Sequence, residues 1–491
     1  MPSILNLYPY KAFYSQFCYL KNLLANAGFT KTLKSGKESL VTPSYRAYCY
    51  IFHKYTERFK ILRREEDGWL QLTMDDLNTR FEGWKSRELE EAGLLVMRRQ
   101  YEVGEYSFKY RIPDNILEGW IAATALESGY YNYYSGKPWT YEDEATLWAE
   151  LEKAWDGYPE RMKQAANSIQ ESFFNLPAVE KHLAGLRTAF SKLSADDPNY
   201  QAKKGELLND ELCFSSLLTM SCSPPNTEGL CSFSPRYQPA TTGRINMVGG
   251  ALQSCTREMK LAAYGSLDGM RNYDLSSSQT RILYHQEFAK YDIECPWLEE
   301  YLASKEKRKA YAEQIGLPDR VWKTCLSALL MGAHLPTNTN SRKSSILKIL
   351  RKELTIDTSE LQRILRQLRL VVKPLQPALN EWHTRLVEEI GQTGSLFNLM
   401  GIGIKLENLP KDKPHKKIAA HILQGTEAYF IQELTLLASK YGYKPLANEH
   451  DGIVVYGEIP AMAEEEVRAI TELHFMRLEE KPDFGAQQGL L

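Results

Sequence analysis

The sequence predicts an α+β protein built from more than one domain, and three observations predict it. A run with helical spacing of aromatic residues gives way to two short alternating segments before residue 115. Residues 115 to about 215 carry apolar side chains three and four apart over long stretches, which is the signature of amphipathic helices. From about residue 230 to the end, strand and helix periodicities are mixed. A chain of 491 residues can bury about two to four cores, since one domain usually runs about 100–200 residues.

Composition narrows the class without naming a function. Charged residues make up 25% and the apolar set 43%, so the chain is globular rather than disordered. A formal net charge of -2 gives no overall attraction to nucleic acid, and any such surface must be a local basic patch. The cysteines at 18, 49, 213, 222, 231, 255, 295 and 325 form no C-x-x-C pair and have no histidine at zinc-finger spacing, which predicts free thiols in a reducing compartment. "MPSILNLYPYKAFYSQF" lacks the pattern of a secretion signal, and no apolar run approaches the roughly 18 residues of a membrane span. The expectation is a cytoplasmic protein, of a bacterial cytosol or phage-infected cell, with no membrane partner. "SGKES" at 35–39 hints at a phosphate loop, but that motif needs Gly where Lys31 stands.

Element by element, "SYRAYCYIFHKYTERFKILRR" from Ser44 to about Arg64 predicts one helix, and "TMDDLNTRFEGWKSRELEEAGLL" two short ones ending at Gly93. "LVMRRQYEVGEYSFKYRIP" then predicts a hairpin turning at Val103-Gly104-Glu105. Helices followed by a basic, aromatic hairpin resemble a winged helix. In that reading the helix with Trp84, Lys85 and Arg87 enters a DNA groove, while Arg98, Arg99, Lys109 and Arg111 meet phosphates. "YEDEATLWAELEKAWDGYPERMKQAANSIQESFFNL" reads as part of a helical module, and "SCSPPNTEGLCSFSPRYQP" as irregular chain before the next domain.

The chemistry concentrates in the last part. "RNYDLSSSQTRILYH", 271–285, sets Asp274 behind an aromatic strand and follows it with three serines. Alone, this is a strand ending in an Asx or Ser turn. In "YKPLANEHDGIVVYGEIP", 443–460, two segments of strand character flank His450-Asp451-Gly452, which puts Asp451 at a hairpin tip. Two aspartates so placed suit two divalent ions about 4 Å apart and an in-line phosphoryl displacement. Mg²⁺ prefers such hard oxygen ligands.

These pieces resemble family-A DNA polymerases. "YDLSSSQTRIL" resembles motif A and "EHDGIVV" motif C of that family; "TTGRINMVGGALQS", with Arg244 and Gln253, is similar to its primer-template segment. "ILQGTEAYFIQEL" matches the palm helix with its Gln424-Gly425-Thr426 signature, and "PDRVWKTCLSALLMGAHLP" resembles the fingers helix, with Lys323 ahead of Met331-Gly332. The resemblance covers roughly 230–460. It implies a right-hand polymerase (palm, fingers, thumb) preceded by a winged-helix-like domain: 1–115 winged-helix-like, 116–225 a helical linker or thumb-like module, 226–491 palm and fingers, with fingers at about 285–390.

The same resemblance implies roles. Asp274 and Asp451 are the catalytic and metal-binding residues, holding two Mg²⁺ ions with Mn²⁺ as the alternative. Lys323, Arg320, Gln279 and Met331 bind the nucleotide; Arg320 and Lys323, three residues apart, put two cations on one helix face. Arg244, Gln253, Arg281, Gln424 and His450 meet primer and template, and a glutamine donor suits the acceptors that every pair shows in the minor groove. The implied partners are a DNA template and primer, dNTPs with rNTPs as a second class, and duplex DNA at the N-terminal domain.

The chain departs from the family at several positions. Gly452 replaces the usual Glu after the motif C aspartate, and Gln279 the Glu that blocks a ribose 2′-hydroxyl. Met331 stands where the fingers have an aromatic residue, and Asp319 where they have Arg, with Arg320 one position late. No Asp-x-Glu exonuclease motif in suitable context precedes the palm, so proofreading is not expected. The expected activity is template-directed DNA synthesis by a compact replicase or primase-polymerase of a plasmid, phage or mobile element. The alternatives are a single-subunit RNA polymerase or primase, and a non-catalytic initiator that keeps the palm fold.

Overall fold

The computed structural model describes residues 11–29, 31–32, 38–39, 42–65, 68–102, 105–124, 129–135, 137–197, 199–220, 222–249, 251–265, 267–341, 344–354 and 356–481. Ser35-Gly36-Lys37 of the phosphate-loop hint and Val103-Gly104 of the first hairpin turn lie outside them.

The first unit is built on the helix Pro43–Glu65, whose Tyr45, Tyr48, Phe52 and Tyr55 recur at helical spacing and are all buried. After it come the strand Leu70–Thr73, helices Met74–Arg80 and Ser86–Glu91, and antiparallel strands Val96–Glu102 and Glu105–Arg111. In the sheet, Glu105–Arg111 lies between the other two strands. Trp84 precedes the third helix instead of riding on it; it is buried, and its indole donates to Asn78 Oδ1 at 2.9 Å. It is therefore a core residue, which corrects its expected place on a groove-entering helix. This core does not stop at residue 115: Trp120 and Tyr133 join it, as do Leu208 and Leu212 from a later helix.

The stretch read as helical is helical only in part. Helices Tyr141–Ala154 and Glu160–Ser168 are split where Gly157 takes φ 82° and Pro159 caps the second. Ser172–Asn175 is a strand paired with Leu230–Phe233, so "CSF" in the supposed irregular segment is also a strand. Each strand is short and finds its partner more than fifty residues away, so neither carries a local signal.

The sheet that positions the site has four antiparallel strands, in the order Lys444–Asn448, Gly452–Tyr456, Met270–Leu275, Leu478–Glu480. "GIVV" is wholly buried because the sheet is covered on both faces: Ile453 and Val455 enter one core with Phe430 and Leu434, and Val454 enters another with Phe174 and Tyr237. The 28-residue helix Pro414–Tyr441 packs against helices Ala461–Thr471 and Glu160–Ser168. Along the chain between the strands Met270–Leu275 and Lys444–Asn448 lies a helical lobe from Pro296–Ala303 to Leu375–Thr393, built around Trp297, Trp322 and Trp382. None of the eight cysteines forms a disulfide. No helix among the described residues is long and apolar enough to cross a membrane.

Candidate active site

Asp274 is the penultimate residue of its strand, opposite Gly452 across the antiparallel pair. The hairpin turn is held by Glu449 N–H on Gly452 O at 2.9 Å, with His450 at φ 74°, and Leu275 N–H donates to Asp451 O at 2.9 Å. Asp274 therefore ends one strand, Asp451 stands in the turn just before the adjoining one, and both line one cavity of about 370 Å³. A Cβ on Gly452 would meet Asp274 Oδ1 at 2.3 Å and Tyr273 O at 2.6 Å. Only glycine fits beside the strand that carries the first aspartate.

The serines after Asp274 make the next turn. Ser276 N–H donates to Arg477 O at 2.8 Å, Ser277 adopts a left-handed φ of 51°, and Ser278 opens a short helix that continues as a wider π-type turn over Leu283–Phe288. Such turns are frequent near functional sites. Arg281 is buried in this turn and donates from Nε to Ser276 O at 3.1 Å. Its guanidinium is held below the usual arginine range by burial, with Arg477 and Arg308 adding to it.

A carboxylate that sequence reasoning missed stands at the centre. Glu427, on the helix Pro414–Tyr441, is fully buried and receives Arg244 Nη2 at 2.7 Å, Gln279 Nε2 at 3.3 Å and the hydroxyl of Ser278. Charged residues are almost never buried unless paired, and Glu427 is paired three ways. Asp451 is not: burial, then the charges of Glu427 and Asp274, push its carboxyl up to about 7, against the opposing pull of Arg244.

The cavity's other wall is cationic. Lys323 shares an i, i+4 stripe with Asp319 and Ser327, lines the cavity with them, and pairs with Asp319 at 2.6 Å. Arg320, off that stripe and 84% exposed, turns to Glu353 and leaves the cavity. In its stead the helix Lys305–Ile315 contributes Lys305, Arg308 and Lys309. Arg308 is only 6% exposed, yet makes no ion pair or side-chain hydrogen bond among the described residues. Lys481 completes the set, 2.8 Å from Asp274 Oδ2.

Other expected residues are distributed differently. Arg244 joins the site through Glu427. Gln253 stands apart: it is buried, accepts from Met247 N–H at 2.7 Å and donates to Ile245 O at 3.1 Å and Asn448 O at 2.8 Å, tying the hairpin strand to the 241–254 segment. Gln424 is half-buried, one helical turn before Glu427. Met331 ends the helix Asp319–Leu330 and packs against the core of the lobe, outside the cavity lining. In the first unit Lys85 and Arg87 are exposed and pair with Glu88 and Glu91 at 2.6 and 3.2 Å; Arg98 is exposed opposite the half-buried Lys109, and Arg99 lies opposite Phe108 in the same strand pair.

The donor set fits a magnesium ion held in part by protein. Among the described residues no group of three or more His, Cys, Asp or Glu converges to hold a metal alone, and Mg²⁺ is usually bound by one or two carboxylates together with substrate phosphates and water. Asp274 and Asp451 are two carboxylates of that kind, and burial together with the charges of Glu427 and Asp274 raises the Asp451 carboxyl.

No family model matches the chain, and no curated protein matches it. Among solved structures it is similar to the "POL domain of Pol1 from M. smegmatis complex with DNA primer-template and dNTP", at 12% identity and a TM-score of 0.46, over 84% of this chain and 85% of that one.

Proposed function

We propose that the chain is a template-directed DNA polymerase, a nucleotidyltransferase that extends a primer by two-metal phosphoryl transfer. The observation that carries this reading is one cavity with Asp274 and Asp451 on its floor and Lys323 and the buried Arg308 on its wall. Carboxylates alone suit many metals. Carboxylates facing a cationic wall, with Arg308 buried in it, across a nucleotide-sized space suit a metal-bound triphosphate.

In this reading Asp274 and Asp451 hold Mg²⁺, which when bound supplies Lewis-acid stabilisation of the charge on the transferring phosphoryl group. Lys323 and Arg308, with Lys305 and Lys309 nearer solvent, bind the triphosphate and neutralise the departing pyrophosphate. The small side chains of Ser276, Ser277 and Ser278 leave the space above Asp274 open to the nucleotide. Glu427 fixes Arg244 and the Ser278–Gln279 turn to the long helix, so that the floor stays rigid. Gln424 and His450, half-buried beside the floor, face primer and template.

The sheet then corresponds to a palm, the 296–393 helices to fingers and the helical module to a thumb. The first unit's sheet order, with three helices around it, supports a winged helix that grips duplex DNA through Lys85, Arg87, Arg98, Arg99 and Lys109. A polymerase joined to such a module suits a replicase of a plasmid, phage or other mobile element. A single-subunit RNA polymerase or primase is the second reading, favoured by Gln279 in place of a glutamate.

Primer extension with dNTPs or rNTPs, on primed and unprimed templates, tests the proposal. Extension of primed DNA is expected, and Asp274→Ala or Asp451→Ala should each reduce it at least a thousandfold while DNA binding survives. No incorporation under any condition would leave a non-catalytic initiator; either variant within tenfold of the parent would overturn the metal assignment.

A further inference from the structure

We propose that a second cavity, lying between the first unit and the segment that carries Arg244 and Gln253, binds one free phosphate ion, with Arg236 and Lys11 as its cationic grips. Among the described residues, none is shared with the cavity of Asp274 and Asp451, so the site stands apart from the polymerase reading.

The cavity, of about 120 Å³, collects residues from distant parts of the chain. Lys11 comes from the strand Lys11–Phe13, His53 from the helix Pro43–Glu65, Asn209 from the helix Tyr200–Leu218, and Arg236 from the chain just ahead of the strand Tyr237–Pro239. Arg236 calls for an acceptor. It is 8% exposed, and although Glu144 takes one of its Nη groups, its Nε–H is buried with no hydrogen-bond partner among the described residues. The Trp148 ring, its centroid 4.7 Å from Arg236 Cζ, packs against the guanidinium and limits its freedom to turn elsewhere. A guanidinium only donates, so whatever completes it must accept.

Lys11 makes that acceptor an anion. Its side chain is 5% exposed in the same cavity, and burial, then the charge of Arg236, push its ammonium down to about 8. Burial likewise lowers Arg236 to about 10. Glu144 reaches both cations but is a single charge. Glu57, the one acid in the lining, pairs with His53 and Lys54 at 3.4 Å each. A water would satisfy the Nε–H and leave the repulsion between the cations in place. An oxyanion relieves both.

Size and proton count choose the ion. The space takes a tetrahedral oxyanion with a few waters and no nucleotide. Asn209 spends its amide donors on Asp210 Oδ1 at 3.2 Å and Ser254 O at 3.5 Å, so it offers the cavity only its oxygen. Phosphate near neutral pH keeps a proton for that oxygen, whereas sulfate keeps none. Gln16, His53, Asn209 and Arg236 are all buried, which suits a free ion and not a nucleic-acid strand, whose backbone needs an open groove. Bound there, the ion ties the first unit to the chain that leads into Arg244.

The test is equilibrium dialysis of the full chain against labelled inorganic phosphate, for the parent, Arg236→Met, Lys11→Met and Arg308→Met. The parent should bind an ion whose affinity Arg236→Met and Lys11→Met each weaken about tenfold or more and Arg308→Met leaves unchanged. Thermal unfolding without phosphate shows whether the variants fold, and Lys11→Met serves alone if Arg236→Met does not. In the parent, sulfate should compete about tenfold more weakly than phosphate. Binding lost in Arg308→Met and kept in Arg236→Met would put the ion in the other cavity and overturn the proposal, as would no binding up to about 10 mM phosphate. Equal competition by sulfate would overturn the choice of phosphate, and displacement of the ion by a single-stranded oligonucleotide would overturn the free-ion assignment.

Discussion

Asp274 and Gly452 stand opposite each other in register, and a Cβ on Gly452 would lie 2.3 Å from Asp274 Oδ1. The Asp274 carboxylate therefore occupies the space that any side chain after Asp451 would need. Part of the obstruction is backbone, Tyr273 O at 2.6 Å, which no rotamer change relieves.

Gly452→Ala should accordingly lower stability by about 1–3 kcal/mol and reduce nucleotide incorporation more than a hundredfold, because the collision displaces Asp274 itself. Urea unfolding and single-turnover extension measure the two effects. An alanine variant that matches the parent in both would show that the strands part without cost.

The raised Asp451 carboxyl makes stability depend on pH. Its folded value of about 7 exceeds the ordinary aspartate value of 3.8, so the folded chain holds a proton that the unfolded chain has released. The contribution is fully present below pH 4 and is lost as pH rises toward 7, by up to roughly 4 kcal/mol. In metal-free buffer Asp451→Asn should be more stable than the parent at pH 8 and lack this loss between pH 4 and 7. Thermal unfolding across that range decides it.

Arg308 trades stability against binding, and Arg320 bears on neither. A buried guanidinium that makes no ion pair among the described residues is a liability in the free chain, so Arg308→Met should stabilise it by about 1 kcal/mol or more. The same change should lower kcat/KM for nucleotides about a hundredfold. Arg320→Ala should alter neither by more than about threefold, since Arg320 is exposed and pairs with Glu353 outside the cavity. Steady-state kinetics of the two variants side by side separate the assignments.

For the first unit, the ion pairs of Lys85 and Arg87 are exposed and weak competitors for phosphate. Replacing Lys85, Arg87 and Arg98 by alanine should flatten the log-log salt dependence of duplex binding by about three units of slope. Extension of short primed templates should persist. An unchanged slope would assign this face to a protein partner.

Local pattern carried much of this protein. The helix Pro43–Glu65, the basic hairpin, the aspartate at a strand end and the aspartate at a hairpin tip all lie where periodicity and turn residues put them. Glu427 left a weaker trace, one of two acids, with Glu433, in the largely apolar run that follows Gln424-Gly425-Thr426. Arg308 left none: in "KEKRKAYAEQI" it looks like one more residue of a solvated basic face.

The order of residues along the chain set which residue types were at hand and which short elements would carry them, since turn chemistry and the periods of 2 and 3.6 act between near neighbours. Tertiary structure alone decided who meets whom. It set Lys481 beside Asp274, buried Glu427 against Arg244 and Gln279, spent Gln253 on the backbone, and turned Arg320 outward while enclosing Arg308. Burial and pairing depend on surfaces brought together from distant parts of the chain, and a charge acquires its cost or its use only from the neighbours found there.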